Sequence, residues 1–502
     1  MATPHEGGAG VTVSSSIGSE PLTCERLVAL AIDAAAPIEL DADAMARVRC
    51  GHAAVRHLVE SNTPAYGVTT GVGSQKDHAV DPSLLLDYNR RLVRGHATRV
   101  PSAAVRPEVV RAALLVVAQQ FASGSAGVSP ALVERVCAAV RSGDLPVIDA
   151  AGTVGASDLV PLSQIAEWLL RTADTEALPG PKEALALINS NAISLATGAF
   201  RIVEVNEALN RFDLAAALTL EGFRGNLDAI SQPVNSVHQR PGQARSAAML
   251  RSLLEDSRLW EIGEARNLQD PLSFRNVSQI HGAAREFAAW LRDVWNTELA
   301  SVNVNPLVNV GPKAVYSHGN MDTTRMTLAL DGCRQALAKV ADVSGERIHK
   351  IQWPSFSGLP IGLAEEGEPA GGVQFLNLGH IAASLITSIK IWAQPHLLHS
   401  VGQLADGVED TASHALHAVH DLERQLDAAR TIAAIEIVIA VWAIDRRGLE
   451  LAELGAGVRP AVEAVRPLLP IGREGSEVFD LGPVIDTIDR LPASTGLLEV
   501  SQ

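Results

Sequence analysis

The sequence predicts an all-α, or mainly α, fold. Three observations carry this. From Glu409 to Arg447 there is neither Gly nor Pro, and at 1.5 Å per residue such a run makes a helix roughly 55 Å long. Ala-rich helical stretches recur at Glu204–Glu221, Ser278–Glu298, Met321–Val343 and Gln374–Trp392. Strand signals are few, with aromatic residues at only 4%. No fixed period repeats, which argues against a solenoid.

The N-terminus, MATPHEGGAGVTVSSSIGSEP, lacks a basic start followed by an apolar run, so it does not read as a secretory signal. Its Gly and Ser content predicts a disordered tail over residues 1–20. Residues 21–205 form an N-terminal part with unusual loops, and 206–502 a long-helix part. The segment DTEALPGPK, ending at Lys182, marks a loop. In Glu204–Glu221 the residues Leu209, Phe212, Ala216 and Leu220 share one stripe. The last long helix is expected to be capped by Asp410 or Thr411 and to end on Arg446 and Arg447 before Gly448. Its second half, IAAIEIVIAVWAI, is apolar on nearly every face and interrupted only by Glu436. A helix of that kind lies inside a bundle or at a subunit interface.

With 502 residues, 47% of them hydrophobic, the chain can bury a large core. The net charge of −16 argues against a general nucleic-acid binder and against docking on anionic lipid. Cys24, Cys50, Cys137 and Cys333 form no CxxC pair and read as buried thiols in a reducing compartment. No run of about 18 uncharged apolar residues suggests a membrane span, and a cytoplasmic protein is expected.

Six segments stand apart from the helices. Tyr66 lies in TPAYGVTTGVG, between Pro64 and the glycines Gly67, Gly71 and Gly73. A phenol so placed reads as a positioned acid or base, or as a packing residue. The loop has neither GxGxxG nor a GK[ST] ending, so it is no phosphate cradle. Ala150–Leu162, AAGTVGASDLVPL, has the composition of a tight turn. Asn189, an amide in the apolar run EALALINSNAISLA, needs a buried partner, whether as core staple or site residue. Arg275, in QDPLSFRNVSQIHG, has the geometry to grip a carboxylate through two parallel hydrogen bonds; a surface ion pair is the commoner use. Glu298 opens ELASVNVNPLV. Asp410, His414 and His417 fall on adjacent helical turns, which permits a metal site, but a solvated face accounts for them too and no metal is expected.

In this order, over roughly residues 25–450, these segments resemble the aromatic amino acid ammonia-lyase and aminomutase family. That family includes histidine, tyrosine and phenylalanine ammonia-lyases and uses a methylidene-imidazolone (MIO) electrophile made from an internal Ala-Ser-Gly. Tyr66-Gly-Val-Thr-Thr-Gly-Val-Gly resembles YGVNTGFG, whose tyrosine is the proposed base, with Thr69 at the place of Asn. LVRGHA resembles LxxSHA, where a histidine, here His96, faces the substrate ring. LALINS resembles LALING and puts Asn189 on the site asparagine. LSFRNVSQ resembles YSLRCxPQ, which matches Arg275 to the carboxylate-binding arginine and Gln279 to the following glutamine. ELASVNVNPLV resembles EINSVTDNPLV, and SHGNMD resembles SGGNFHG, so Asn320 matches a site asparagine and Met321 replaces Phe. VEDTASH resembles QEDHVSM, placing Glu409 on the site glutamate of the histidine enzymes. The resemblance implies a long central bundle of the ammonia-lyase and fumarase type with a smaller mixed N-terminal part. It also implies a small amino acid substrate and a homotetramer with sites built from three chains, an interface that the apolar helix at 431–444 suits.

Two departures bear on the chemistry. GSVGASGDLAPL appears here as GTVGASDLVPL, so the triad glycine is missing and the loop is one residue short. MIO forms when the amide nitrogen of the third triad residue attacks the carbonyl of the first, with loss of two waters; Gly tolerates that bend best. Here Ala156, Ser157 and Asp158 would have to cyclise, giving MIO as the one expected cofactor or none at all. Leu272 replaces the tyrosine of YSLR and removes a second site phenol. Three readings follow. The first is an ammonia-lyase or aminomutase acting on a histidine- or tyrosine-like amino acid with Tyr66 as base. The second is a MIO-independent lyase or isomerase acting on a related acid with a better leaving group. The third is a non-catalytic binding homologue. The retained Tyr66, Asn189, Arg275, Asn320 and Glu409 favour a carbon–nitrogen lyase. No GSSxMPxK loop of the fumarase kind is present.

Overall fold

The computed structural model describes residues 15–100, 104–171, 179–238, 240–365, 373–399, 402–470 and 478–491. Long helices dominate: Ala192–Phe223, Val277–Leu299, Thr324–Ile351, Val373–Trp392 and Ala415–Arg446. Among the described residues the strands make two short ribbons, Ser16–Ile17 parallel to Glu39–Leu40 and Leu307–Asn309 antiparallel to Ala314–Tyr316. The all-α expectation holds. Of the expected tail, residues 1–14 lie outside the described residues, and Ser16–Ile17 is paired in a ribbon.

The chain divides into two compact units that alternate along the sequence, where the sequence reading cuts once at 205/206. One comprises Met1–Phe200, Arg292–Thr327 and His396–Val419; the other comprises Arg201–Leu291, Leu328–Pro395 and His420–Gln502.

In the first unit the helix Pro107–Ala122 is buried almost throughout, and Cys24–Ile32 and Pro130–Ser142 pack against it. Proline opens two of these helices, at a position whose N–H would have no helical partner. The buried Arg111 ties the other two helices at their C-termini. Its Nη1 donates to Val140 O at 2.5 Å, Nε to Leu30 O at 3.2 Å and Nη2 to Asp33 O at 3.0 Å. A cation there meets the partial negative charge of two helix ends. The helix read from the sequence as Glu204–Glu221 begins twelve residues earlier, at Ala192. Gly198 looks like a breaker but is a contact point: a Cβ there would lie 2.1 Å from the Trp295 ring. Trp295 also donates from Nε1 to Leu195 O at 2.9 Å.

In the second unit the segment 431–444 is buried on every side, which explains why it is apolar on every side. It is core, not an interface. Glu436 interrupts it because four hydrogen bonds satisfy its carboxylate: Thr219 Oγ1 at 3.0 Å, Ser344 Oγ at 2.5 Å, and Arg347 Nε and Nη2 at 2.5 and 2.9 Å. The helix ends as expected at Gly448, whose φ is +63°. Leu449 N bonds Ile444 O at 3.2 Å and Gly448 N bonds Asp445 O at 3.0 Å, the paired bonds of a Schellman cap. Its start differs from expectation. Helix begins at Ala415, not at Asp410 or Thr411, because Ser413 N and His414 N are drawn off to Val154 O and His414 takes φ +55°.

The helix Val373–Trp392 presents Phe375, Leu378, Ala382, Ile386 and Ile389 to the second unit's core and leaves Ile381 and Ile391 exposed. Its Phe375–Trp392 stretch, with mean hydropathy 1.2, reaches by length and composition the level of a membrane span. The sequence reading passed over it because Lys390 lies within it. Three cysteines are buried as expected; Cys50 is exposed, and all four are free.

Removing one member of a buried, bonded ion pair strands the other charge. Changing Glu436→Ala is expected to destabilise the protein by about 3–5 kcal/mol, and replacing both residues (Arg347→Met with Glu436→Leu) to recover most of that. Denaturant unfolding of the two variants and the parent checks this.

Candidate active site

The loop that aligns with the MIO triad sits in the first unit, held from three sides. Gly155 has φ +94°, and a Cβ on it would come within 2.5 Å of Ser413 Oγ and 2.7 Å of His414 N. Its carbonyl accepts from Thr323 Oγ1 and from Ser413 Oγ, each at 3.0 Å. Ala156 forms a bridge with Asp322. Ser157 N donates to Asn191 Oδ1 at 3.0 Å, and Asn191 Nδ2 donates to Met321 O at 2.7 Å. The motifs read separately in the sequence at 150–162, 189–191, 320–323 and 413 thus meet at one loop.

Asp158 is the best-anchored residue of the loop. Its amide donates to Ser190 O at 2.8 Å. Its carboxylate accepts from Ser194 N, Ser194 Oγ and Thr153 Oγ1, each at 2.8 Å. Ser194 N belongs to the first turn of Ala192–Phe223, so the carboxylate caps that helix where the helix dipole favours negative charge. Full burial pushes the Asp158 carboxyl above its ordinary range, and these bonds pull it back. Ser157 has φ +81° and donates from Oγ to Asn189 Oδ1. Ring closure to MIO would require the Asp158 nitrogen to leave Ser190 O and turn onto the Ala156 carbonyl. It would also have to do so while its own side chain holds a helix end, a load that glycine does not carry. The residues present fit a helix cap better than they fit the cyclised group.

Beneath Asn189 lies a second chain of bonds. Asn189 Nδ2 donates to Asn305 O at 3.0 Å, and His318 N donates to Asn305 Oδ1 at 3.0 Å. His318 Nε2 faces Val304 O at 3.2 Å, and its Nδ1 accepts from Asn320 N at 3.0 Å. That pattern assigns the neutral tautomer with hydrogen on Nε2. Burial lowers His318, the Val304 carbonyl opposes this, and nearby Lys182 lowers it further. Asn320 itself is exposed.

Tyr66 is half-buried, and Gly73 N donates to its hydroxyl at 3.2 Å. The Gly73–Gln75 turn packs on the turn Ala405–Gly407, just before Glu409. Glu409 is held by a bridge to Leu404. Burial raises its carboxyl above the ordinary range, and His96, its electrostatic neighbour at the end of Leu85–His96, pulls it down. Tyr66, His96 and Glu409 therefore share one region of the first unit.

Arg275 and Gln279 lie in the second unit. Arg275 Nε donates to Asp270 O at 2.6 Å, and with its amide turned oxygen-first Gln269 accepts from both Nη atoms at 3.0 Å. Gln269 and Asp270 line an open cleft of about 530 Å³ with Phe223, Arg266 and Phe356. Leu272 is exposed. Ser278 Oγ donates to Gln279 Oε1 at 3.2 Å. Among the described residues no three His, Cys, Asp or Glu are placed to share a cation. The Asp410–His414–His417 arrangement lapses because His414 stands outside the helix, with Nε2 against His399 O at 3.2 Å.

Sequence reasoning passed over His318 and Lys182. Lys182 is fully buried, donates from Nζ to Ala126 O at 2.7 Å, and is lowered by burial from 10.5 to about 7. The loop composition around it disguised a core residue. Two predictions follow from these anchors. Asp158→Ala removes a cap and strands buried donors, and should cost about 2–4 kcal/mol in denaturant unfolding. For Lys182, the unfolded chain holds a proton that the folded chain lacks between pH 7 and 10.5. Stability should therefore rise with pH across that window and be lost as pH falls through 7. Lys182→Met should flatten that slope in a series of unfolding curves.

Comparison with known proteins now has a geometry to rest on. A family model described as aromatic amino acid lyase matches residues 22–467. The histidine ammonia-lyase of Myxococcus xanthus is 32% identical over 475 residues, covering 90% of this chain and 92% of the relative. A crystal structure of Ergothionase, an ergothioneine-degrading enzyme from Treponema denticola, solved with desmethyl-ergothioneine sulfonic acid, is similar with a TM-score of 0.87. It is 26% identical and covers 97% of this chain and 99% of that one. Tyrosine aminomutase from Streptomyces globisporus gives a TM-score of 0.83 at 25% identity, covering 95% of this chain and 96% of that one. The chain belongs to the aromatic amino acid lyase family and is a carbon–nitrogen lyase.

Proposed function

We propose that this protein eliminates an amine from a histidine-type substrate without MIO, and that the amine leaves as a tertiary amine from a betaine. The observation that carries the reading is Asp158, whose amide and carboxylate are both committed where the family cyclises a glycine. A primary amine is a poor leaving group and needs an electrophile to activate it. A quaternary ammonium nitrogen has no lone pair with which to add to an electrophile, and it departs as a neutral amine. A betaine substrate therefore makes the missing glycine chemically harmless. The likeness to an ergothioneine-degrading enzyme supports a histidine betaine, because ergothioneine is one.

In this reading Tyr66 takes the proton from the carbon next to the one bearing nitrogen. The C–H electron pair forms the double bond, and the C–N pair leaves with the amine. His96 and Glu409 hold the imidazole end, and Asn189 with Ser157 lines the base of the site. Arg275, with Gln279 and Asn320, binds carboxylate or orients the substrate from neighbouring chains of a cytoplasmic homotetramer, the assembly the resemblance implies.

Three measurements test this. The denatured chain should have its full encoded mass; a mass two waters lower would show that Ala156-Ser157-Asp158 cyclises. The protein should convert a histidine betaine to the unsaturated acid, followed by ultraviolet absorbance, and leave histidine untouched. Turnover of histidine together with the lower mass would favour the histidine ammonia-lyase reading, which the 32% identical relative supports. Tyr66→Phe should lower kcat by about 100-fold or more, the loss typical of a removed general base.

A further inference from the structure

Two turns meet in the first unit beside the Tyr66 hydroxyl, and one of them runs against its own sequence. Between Leu404 and Glu409 the chain reverses: Leu404 N donates to Glu409 O at 2.8 Å, and Glu409 N to Leu404 O at 3.2 Å. Inside that bridge Ala405, Asp406 and Gly407 are left-handed in succession, with φ of +48°, +60° and +76°. Gly407 N bonds Leu404 O at 3.0 Å, so Ala405 and Asp406 are the central pair of a turn whose positive φ values suit glycine and asparagine. Asp tolerates that conformation, but the methyl of an alanine crowds its own backbone there. Such an outlier persists only where its surroundings hold it. Ala405 is also the covered residue of this turn: Asp406, Gly407 and Val408 are exposed, and Ala405 is half-buried. Its cover includes Gly73, since a Cβ built on Gly73 would lie 3.7 Å from the Ala405 methyl.

Gly73 is the residue whose amide donates to the Tyr66 hydroxyl at 3.2 Å. The base of the Tyr66 loop is secured by other means: Thr69 Oγ1 accepts from Ala65 N at 2.9 Å and donates to Thr63 O at 2.8 Å. Its tip closes on itself, with Gly71 N on His78 O at 2.9 Å and Lys76 N on Gly73 O at 3.1 Å. All of these bonds lie within the loop, and none of them fixes Gly73 against the Glu409 turn. We infer that Ala405 is a positioning residue for Tyr66: its left-handed backbone seats its methyl on Gly73 and so holds the Gly73 amide on the phenol oxygen. The inference rests on the reading of Tyr66 as the base. An N–H fixed on that oxygen steadies the ring and stabilises charge that gathers there. The abstracted proton goes to the Tyr66 oxygen, and Ala405 makes and breaks no bond. Glu409 closes the same turn, so one contact ties the residue that takes the proton to the one proposed to hold the imidazole end. A strained alanine is kept where glycine would suit the backbone better, because glycine has no methyl to rest on Gly73.

Ala405→Gly separates strain from positioning, because it relieves the backbone and removes the methyl. The thermal midpoint of the full-length variant should not fall, while its kcat on a histidine betaine should drop about tenfold. KM should stay within about twofold, as for a group that acts only in the transition state. Ala405→Asn keeps a Cβ on a residue that tolerates positive φ, and should recover most of the lost kcat. In a Tyr66→Phe background Ala405→Gly should cost nothing more. Hydrogen exchange of the Gly73 amide needs no substrate and can be read by mass spectrometry on peptides spanning residues 67–80. Ala405→Gly should quicken it about tenfold, toward the rate in Tyr66→Phe, which removes the acceptor. Parent-like exchange in Ala405→Gly, or an equal loss of kcat with and without Tyr66, would overturn the inference. A lowered thermal midpoint would overturn the strain on which it stands. Quickened exchange in a protein that turns over no histidine derivative would sink the proposed elimination and leave the contact standing.

Discussion

A carboxylate seated on a helix N-terminus organises the first unit. Asp158 closes the first turn of Ala192–Phe223 through Ser194 and Thr153, and its own backbone starts the next helix, since Leu162 N bonds Asp158 O at 3.0 Å. One residue therefore marks where two helices begin, Leu159–Arg171 through its backbone carbonyl and Ala192–Phe223 through its carboxylate. Ser157 is presented to Asn189 because its neighbour cannot move, and Gly155 reaches Ser413 and Thr323 for the same reason. The loop's position is set by hydrogen bonds made in a buried setting, where an unpaired donor is costly.

The relation between this loop and the chemistry is one of competing demands on a single position. A cyclising triad asks for a residue that bends freely and contributes an amide nitrogen. A capping residue asks for a fixed side chain and a committed amide. Asp158 meets the second demand. Other groups in the first unit are likewise held by their neighbours. Asn189 has both side-chain atoms engaged, His318 is fixed as one tautomer, and Glu409 is half-buried with His96 as its electrostatic neighbour.

Much of the fold was legible from the chain, for reasons that differ between elements. The end of Ala415–Arg446 was readable because Gly448 is the residue its cap geometry requires. Its start was not, because Ser413 and His414 answer to Val154, some 260 residues away in sequence, and no local pattern encodes that. The start of Ala192–Phe223 was not legible either, since Gly198 sits inside that helix and its lack of a side chain answers to Trp295. The apolar 431–444 segment was readable as bundle or interface, and its burial within the second unit, with Glu436 bonded to Arg347, separates the two. Among the candidate site residues that motif order singles out, Tyr66, His96 and Glu409 share one region of the first unit and Asn189 meets Ser157 there, while Arg275 lies in the second unit. The settings of Lys182 and His318 were invisible, since each depends on what lies across from it in space.

Lys182 has a consequence of another kind. At neutral pH an amine titrating at about 7 is uncharged for about half of the time and hence a competent nucleophile, yet this one is wholly shielded from solvent. An acylating reagent added to the folded protein meets the amine only when the surrounding core opens. The speed at which Lys182 becomes labelled is then a clock for that opening, recording how often the packing between Ala126 and His318 comes apart under native conditions. Surface lysines react at once and set the zero of the clock. A core residue placed to satisfy local geometry thereby doubles as a built-in gauge of the first unit's breathing.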